Sequence, residues 1–386
     1  MRGVNVGQDG ILRGGCQPPP ACQGRAQGAR PIGRALPNCP TILLLGIIAL
    51  SGCGRYADFK LPPVSGGDPN MTFAFEAQPE PVLTAGEGWE SHDVLNPSVI
   101  SRSQPQSLLN FYSGFDGHTW RTGLAASGDG THWQKQGVIL SPDPQTWEGS
   151  YIAANGSALW YENQFWYWYQ AGPRERPRIG LSTSEPRPSG SDWHWRKEPN
   201  PVLEPGPYGS WDEYGVADPY VVRIEPYFYL FYLGQDRARR QRLGVARSTD
   251  GVRWEKLRAN PVLELGDPGA FDENGLGEPA VWNSHGFYWM LYTGLDTAEN
   301  RRLGLARSID GVHWRKLPVV FGGNQPWDAK VVCDPTVEVA GGVIRVWFGG
   351  GDVASPDENL HGRIGLAILR PVTAIRPEDT GGRVVR

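Results

Sequence analysis

From Trp89 onward one pattern of apolar and polar positions recurs five times. Each copy opens on a large aromatic residue followed by an acid: Trp89-Glu90, Trp147-Glu148, Trp211-Asp212, Phe271-Asp272 and Trp327-Asp328. An apolar stretch follows, and then a strongly aromatic one ending in glycine: LLNFYSG at 108–114, FWYWYQAG at 165–172, YFYLFYLG at 227–234, FYWMLYTG at 287–294 and VIRVWFGG at 343–350. A third stretch begins with arginine: RTGLAAS at 121–127, RIGLSTS at 178–184, RLGVARS at 242–248, RLGLARS at 302–308 and RIGLAIL at 363–369. Short runs of aromatic and branched residues, punctuated by Gly, Asp and Pro, predict strands rather than helices.

Asp-Gly pairs at 129–130, 250–251 and 310–311 predict tight turns into a fourth strand that carries Trp133, Trp254 or Trp314; the second copy reaches Trp195 by SDWHW. Four strands per copy and spacings of 58, 64, 60 and 56 residues predict an all-β fold, a five-bladed β-propeller of four-stranded blades. The fifth copy stops after its third strand, at Leu369, while FEAQPEPVL at 75–83 resembles the fourth-strand endings EPNPVL at 198–203 and ANPVLEL at 259–265. The N-terminal strand is therefore expected to close the ring and leave no blade edge unpaired. The expected organisation is a propeller over 75–370, a tail over 371–386 with no place in the core, and a flexible tether over 54–74 that is too poor in apolar periodicity to build one.

Because the copies align, they separate scaffold from chemistry. The opening aromatic, its acid, the Arg and Gly of the third strand and the Trp of the fourth recur and are read as architecture. One column varies in charge and length while staying polar. It lies seven residues after the opening aromatic and just before a proline in four copies: Asn96, Asp218, Glu278 and Asp334, with Asn155 followed by Gly in the second. Five such positions converging on one axis would suit an asymmetric ligand.

The blade pattern, Asp218-Pro219 within VADPY, Glu278-Pro279 within GEPAV and the S-x-D-G-x-x-W turns resemble the five-bladed glycosidase propellers, the superfamily of glycoside hydrolase families 32, 43, 62, 68 and 130. The resemblance spans about residues 75–370. It implies a carbohydrate partner bound in a central funnel lined by the first strand of each blade, whose acids are the catalytic groups. Glu278 is then the candidate general acid, and Asp218 the group that orients sugar or tunes its pKa. This sequence departs from the hydrolase pattern at Asn155, where an acid is expected, because an amide is neither base nor nucleophile. Asp334 is the candidate to take that role from the other side of Glu278. Two readings stay open: a glycoside hydrolase or phosphorylase, and a sugar-binding or scaffold propeller without catalysis. A sialidase is disfavoured, since no arginine cluster accompanies the S-x-D-G-x-x-W turns.

His92 and Asp93 are placed beside Asn96 and Asn155 as candidate sugar contacts, because they precede Asn96 on the expected funnel rim. The seven His show no metal-ligand spacing, so no cofactor is expected, and nothing specifies the funnel calcium that some family 43 relatives carry. Cys333 is read as a small buried residue, with no paired His to make it a nucleophile.

Charge and cysteine usage divide the chain. Residues 1–53 hold five Arg, no Lys, one acid and four of the five Cys, whereas the rest holds 32 bases and 40 acids. A mildly acidic body without a basic stripe argues against nucleic acid as a partner. The apolar run TILLLGIIAL at 41–50 is half of what a bilayer-spanning helix of roughly twenty residues needs, and suits the apolar region of a signal peptide. Leu50-Ser51-Gly52-Cys53 resembles the lipobox of bacterial lipoproteins, which implies a signal segment over 1–53, lipidation of Cys53 and a membrane anchor, with the body exported to the periplasm or cell surface. A monomer is expected.

Overall fold

A computed structural model describes residues 56–103, 106–185 and 194–373; the signal segment with Cys53 and residues 374–386 lie outside it. Among the described residues the regular structure is β, apart from two single 3-10 turns at Gly88–Glu90 and Pro326–Asp328. Two strands, β1 (Tyr56–Ala57) and β2 (Met71–Ala77), precede the repeats. The first repeat forms β3 (Asp93–Ser103), β4 (Gln106–Phe115), β5 (Trp120–Ser127) and β6 (Gln134–Leu140), and the second β7 (Ile152–Tyr161), β8 (Gln164–Ala171), β9 (Arg178–Glu185) and β10 (His194–Lys197). The third forms β11 (Gly215–Ile224), β12 (Tyr227–Gln235), β13 (Gln241–Ser248) and β14 (Glu255–Leu257). The fourth forms β15 (Gly275–Ser284), β16 (Phe287–Leu295), β17 (Arg301–Ser308) and β18 (Arg315–Phe321), and the fifth β19 (Val331–Ala340), β20 (Val343–Gly351) and β21 (Arg363–Thr373).

Within each repeat successive strands pair antiparallel, as in β15 with β16, β16 with β17 and β17 with β18. Neighbouring repeats touch through short parallel contacts at the start of their strands, Trp120 with Ile152, Gln241 with Gly275 and Arg301 with Val331. The fifth repeat has no fourth strand of its own, and β2 lies antiparallel to β21 in that position, Met71 opposite Thr373 and Ala77 opposite Ala367. The core lies between repeats. Trp289, Leu291, Leu303 and Leu305 of the fourth pack against Val332, Val346, Phe348 and Leu369 of the fifth and against Phe73 of β2. Each large apolar side chain buried this way contributes roughly 2–3 kcal/mol.

The recurring residues are architectural, for reasons the side chains make explicit. The acid after the opening aromatic accepts a hydrogen bond from a tyrosine of the second strand and pairs with a lysine of the fourth. Tyr112 Oη donates to Glu90 at 2.8 Å and Lys135 Nζ sits 2.7 Å from the same carboxylate. Tyr169 and Lys197 serve Glu148, Tyr232 and Lys256 serve Asp212, and Tyr292 and Lys316 serve Asp272. In the fifth repeat Phe348 stands where the tyrosine would be, and Asp328 instead accepts the Gln325 backbone N–H at 2.8 Å. In the S-x-D-G-x-x-W turns the serine hydroxyl accepts the N–H groups of the Asp and Gly, the Asp accepts the next two, and the tryptophan Nε1 donates to the Gly carbonyl, as at Ser248, Asp250 and Trp254.

The N-terminal stretch departs from the expectation of a tether. Tyr56 and Ala57 pair parallel with Lys256 and Leu257 of β14, Phe59 and Leu61 are buried, and Leu61 N–H donates to the Asp310 carbonyl at 2.9 Å. Residues 56–67 are a strap laid across the third and fourth repeats. The strand that lies in the fourth position of the fifth repeat starts earlier than expected, at Met71, because Met71 and Phe73 supply the buried alternation; beyond it the Gln78 N–H donates to the Leu366 carbonyl and those of Val82 and Leu83 to the Ile364 carbonyl. At the other end Pro371–Thr373 belong to β21 rather than to a tail.

Candidate active site

The variable column becomes one site through a shared backbone device. Asn96, Asn155, Asp218, Glu278 and Asp334 all have positive φ, between 41° and 51°. At each, the register of the first strand against the second slips, so that the ring residue and its successor bulge out of the pairing. A bulge kinks its strand and re-aims a side chain. Left-handed backbone is tolerated by Asn and Asp but uncommon for Glu, and such strain costs about 1–3 kcal/mol per residue. Five such sites turn all five side chains into a single cavity of about 360 Å³. Beneath the ring the space narrows to about 30 Å³ between the residues that follow, Pro97, Gly156, Pro219, Pro279 and Pro335.

The five are joined in an asymmetric network. Ser113 Oγ donates to Asn155 Oδ1 at 3.0 Å and accepts the Asn155 N–H at 2.9 Å, which leaves the Asn155 amide to hydrogen-bond Asp218. Thr293 accepts the Asp334 N–H at 3.3 Å and hydrogen-bonds the Glu278 carboxyl. The Cys333 thiol and the Asn96 N–H both reach Asp334 Oδ2, at 3.0 and 3.3 Å. Gly349 makes room for this carboxyl, since a Cβ there would lie 2.7 Å from Asp334 Oδ2. Glu278 Oε2 is buried and no protein group among the described residues hydrogen-bonds it.

Three carboxyls around one cavity cannot all ionise freely. Asp218 and Glu278 keep some surface toward the cavity and are enclosed by protein on every other side. Burial, and then the Asp334 charge, push Asp218 up to about 7. Burial and the charges of Asp334 and Asp218 hold Glu278 well above the ordinary carboxylate range. Burial raises Asp334 too, against the stabilising hydrogen bonds and the nearby Arg301 cation. All three acids therefore hold their protons more tightly than an ordinary carboxyl, and for each of them burial is the first cause. Burial also pushes the Cys333 thiol far up, so it is a hydrogen-bond donor here and not a nucleophile.

Two of the seven sequence candidates fall elsewhere. Asp93 is fully buried and accepts the N–H groups of Asn359, Leu360 and Gly362 at 2.6, 3.0 and 2.7 Å, so it ties down the last loop of the fifth repeat and does not line the cavity. His92 is exposed, packs edge-on against Phe115 and does not line the cavity. Two arginines outside those candidates, Arg301 and Arg174, do line it. Arg301 is 9% exposed and is held by the carbonyls of Ser355, at 2.7 Å, and Pro356. Arg174 bridges Asp357 and Glu358 at 3.0 Å each, and Tyr151 donates to Glu358 at 3.0 Å, so the 352–362 loop is clasped to the second repeat at the cavity mouth. Arg301 had a signal, because the column just before the shared third-strand arginine also varies: Trp120, Pro177, Gln241, Arg301 and Gly362. Among the described residues no group of three His, Cys, Asp or Glu is arranged to hold a metal ion.

A ring of strained acids and amides at the inner end of repeated four-stranded units defines a class, the β-propellers of the glycosidase superfamily. A solved structure described as "Glycoside hydrolase" shares the fold with a TM-score of 0.62 at 17% identity, over 81% of this chain and 95% of that one. Over residues 110–341 the sequence matches the glycosyl hydrolases family 32 N-terminal domain, and the chain belongs to that family. Among its relatives, "Uncharacterized protein MT1551" of Mycobacterium tuberculosis (strain CDC 1551 / Oshkosh) is 30% identical over 229 residues, 56% of this chain and 75% of that one. The "1,2-beta-oligomannan phosphorylase" of Thermoanaerobacter sp. (strain X514) is 28% identical over 135 residues, 33% of this chain and 45% of that one.

Proposed function

We propose that the protein is a five-bladed propeller, closed by Met71–Ala77, that cleaves a glycosidic bond of an oligosaccharide bound in the central cavity. The observation that carries this reading is Glu278 Oε2, a buried carboxyl oxygen without a hydrogen-bond partner among the described residues, on a group whose proton is retained well above the ordinary carboxylate range. In the reaction Glu278 gives that proton to the glycosidic oxygen as the bond from that oxygen to the sugar C1 breaks. The Asp334 carboxylate takes a proton from the attacking water as its oxygen bonds to C1, and Asp218, held by Asn155, adds its charge when ionised to the influences that keep the Glu278 pKa high. General acid–base help of this kind is worth about 10²–10⁴ in rate.

Phosphorolysis is the second reading, favoured by Asn155. A phosphate oxygen arrives already charged and needs no carboxylate to activate it, so an amide in the ring is no handicap; the partial similarity to an oligomannan phosphorylase agrees with this. The test is a panel of oligosaccharides incubated with and without inorganic phosphate. Free sugar independent of phosphate supports hydrolysis, and a sugar 1-phosphate formed only with phosphate supports phosphorolysis. Binding to a glycan with no bond broken under either condition would overturn the enzyme reading in favour of a binding propeller.

The address is part of the proposal. Acylation of Cys53 behind the 41–50 apolar run would hold the exported body at a membrane surface.

A further inference from the structure

The two ends of the repeats differ, and the chain enters the fold from one of them. The cavity mouth lies where each first strand begins and where the second hands over to the third; Gly275, Leu295 and Arg301 line it there. The opposite end carries the hairpins between first and second strands and the S-x-D-G-x-x-W turns, which follow Ser248 and Ser308 at the ends of β13 and β17.

The strap belongs to that opposite end. Leu61 N–H donates to the Asp310 carbonyl at 2.9 Å, Val64 N–H to the Ile309 carbonyl at 3.0 Å, and the Tyr288 hydroxyl to the Pro62 carbonyl at 2.7 Å. The hairpin at Gly286 is so closely covered that a Cβ there would lie 2.3 Å from the Gly67 nitrogen. β1 runs parallel to β14, which climbs from the Asp250–Trp254 turn toward the mouth. Tyr56 is therefore the end of β1 farther from the mouth. Three Cα steps separate Tyr56 from Cys53, so a lipid on Cys53 starts within about 11 Å of β1. Ile309, 57% exposed, stands on the same end beside the Lys60–Asp310 ion pair of 2.9 Å, so an apolar side chain is presented there with the neighbouring charges matched.

We propose that the end opposite the mouth, at the third and fourth repeats, is the surface that meets the lipid, so that the cavity opens away from the bilayer. Glycans then enter from the aqueous side, and headgroup sugars of the anchoring leaflet are out of reach. This rests on the acylation of Cys53 proposed above, and the two are separable. Mass analysis of the exported full chain is expected to give an N-terminal peptide starting at a diacylglyceryl Cys53; a mature chain without that group overturns the anchor and this inference with it.

Orientation is read on lipidated protein in phosphatidylethanolamine–phosphatidylglycerol vesicles carrying a headgroup nitroxide. A fluorophore is attached through Arg253→Cys, on the turn beside β14, or through Ala238→Cys, in the exposed loop at the mouth. Quenching several-fold stronger at 253 than at 238 is expected. Equal quenching, or stronger quenching at 238, overturns the orientation while leaving the anchor intact. A flexible insert of about twelve Gly and Ser residues after Gly54 is expected to bring the two sites close to equality. An undiminished difference would overturn the short connection as its cause.

Discussion

Arg301 shows how one residue sets the chemistry of a site that it need not touch. Its guanidinium is fixed by the Ser355 and Pro356 carbonyls, and its charge lowers the pKa of all three ring acids. Arg301→Gln removes that stabilisation of the carboxylates, so the pKa of each acid rises. On the proposed mechanism the acid limb of the rate profile, set by ionisation of Asp334, and the alkaline limb, set by loss of the Glu278 proton, both move to higher pH. Measured pH profiles of kcat/KM check this, and a uniform loss of rate with unmoved limbs would contradict it. Asp218→Asn has the opposite sense on one limb: loss of a negative neighbour lowers the Glu278 pKa and draws the alkaline limb to lower pH. Asp93 teaches the converse, since a carboxylate placed by sequence among sugar contacts spends both oxygens on the N–H groups of a loop.

At the scale of elements, the acid, tyrosine and lysine links fasten the fourth strand of a repeat to the segment that opens it. The Lys256–Asp212 pair is the most enclosed, with side chains 8% and 0% exposed and 2.5 Å apart. Lys256→Met leaves a buried carboxylate without its cation and costs about 3–5 kcal/mol. Lys135→Met costs less, since Lys135 is 28% exposed. Urea unfolding of both variants checks the order, and equal losses would contradict it. The repeats made these strands legible, because five copies of one pattern fix strand boundaries and turns that a single copy would leave open. The strap was not legible: Phe59, Leu61 and Val64 follow neither a helical nor a strand period, and their partners lie 170 to 250 residues away in sequence. Its burial comes from tertiary contact alone, so no local pattern announces it.

For the whole molecule, repetition builds a frame and its small departures build the site. Each first strand carries the same bulge and the same positive φ, and only the side chain at that point changes, from Asn through Asp to Glu. That column was readable in the sequence, and so was the exclusion of Asn155 as a base. What sequence could not supply is the raised pKa of the three acids, which arises from burial and from charges brought together out of the third, fourth and fifth repeats. The central claim is that Glu278 delivers the proton to the leaving oxygen. It is tested most directly by comparing Glu278→Gln with the unaltered protein on two glycosides of one sugar, one with an alkyl leaving group that needs a proton and one with a dinitrophenyl group that does not. The account predicts a loss of about 10²–10⁴ in kcat/KM for the alkyl glycoside and a far smaller loss for the activated one. Equal losses on both substrates, or none on either, would contradict it.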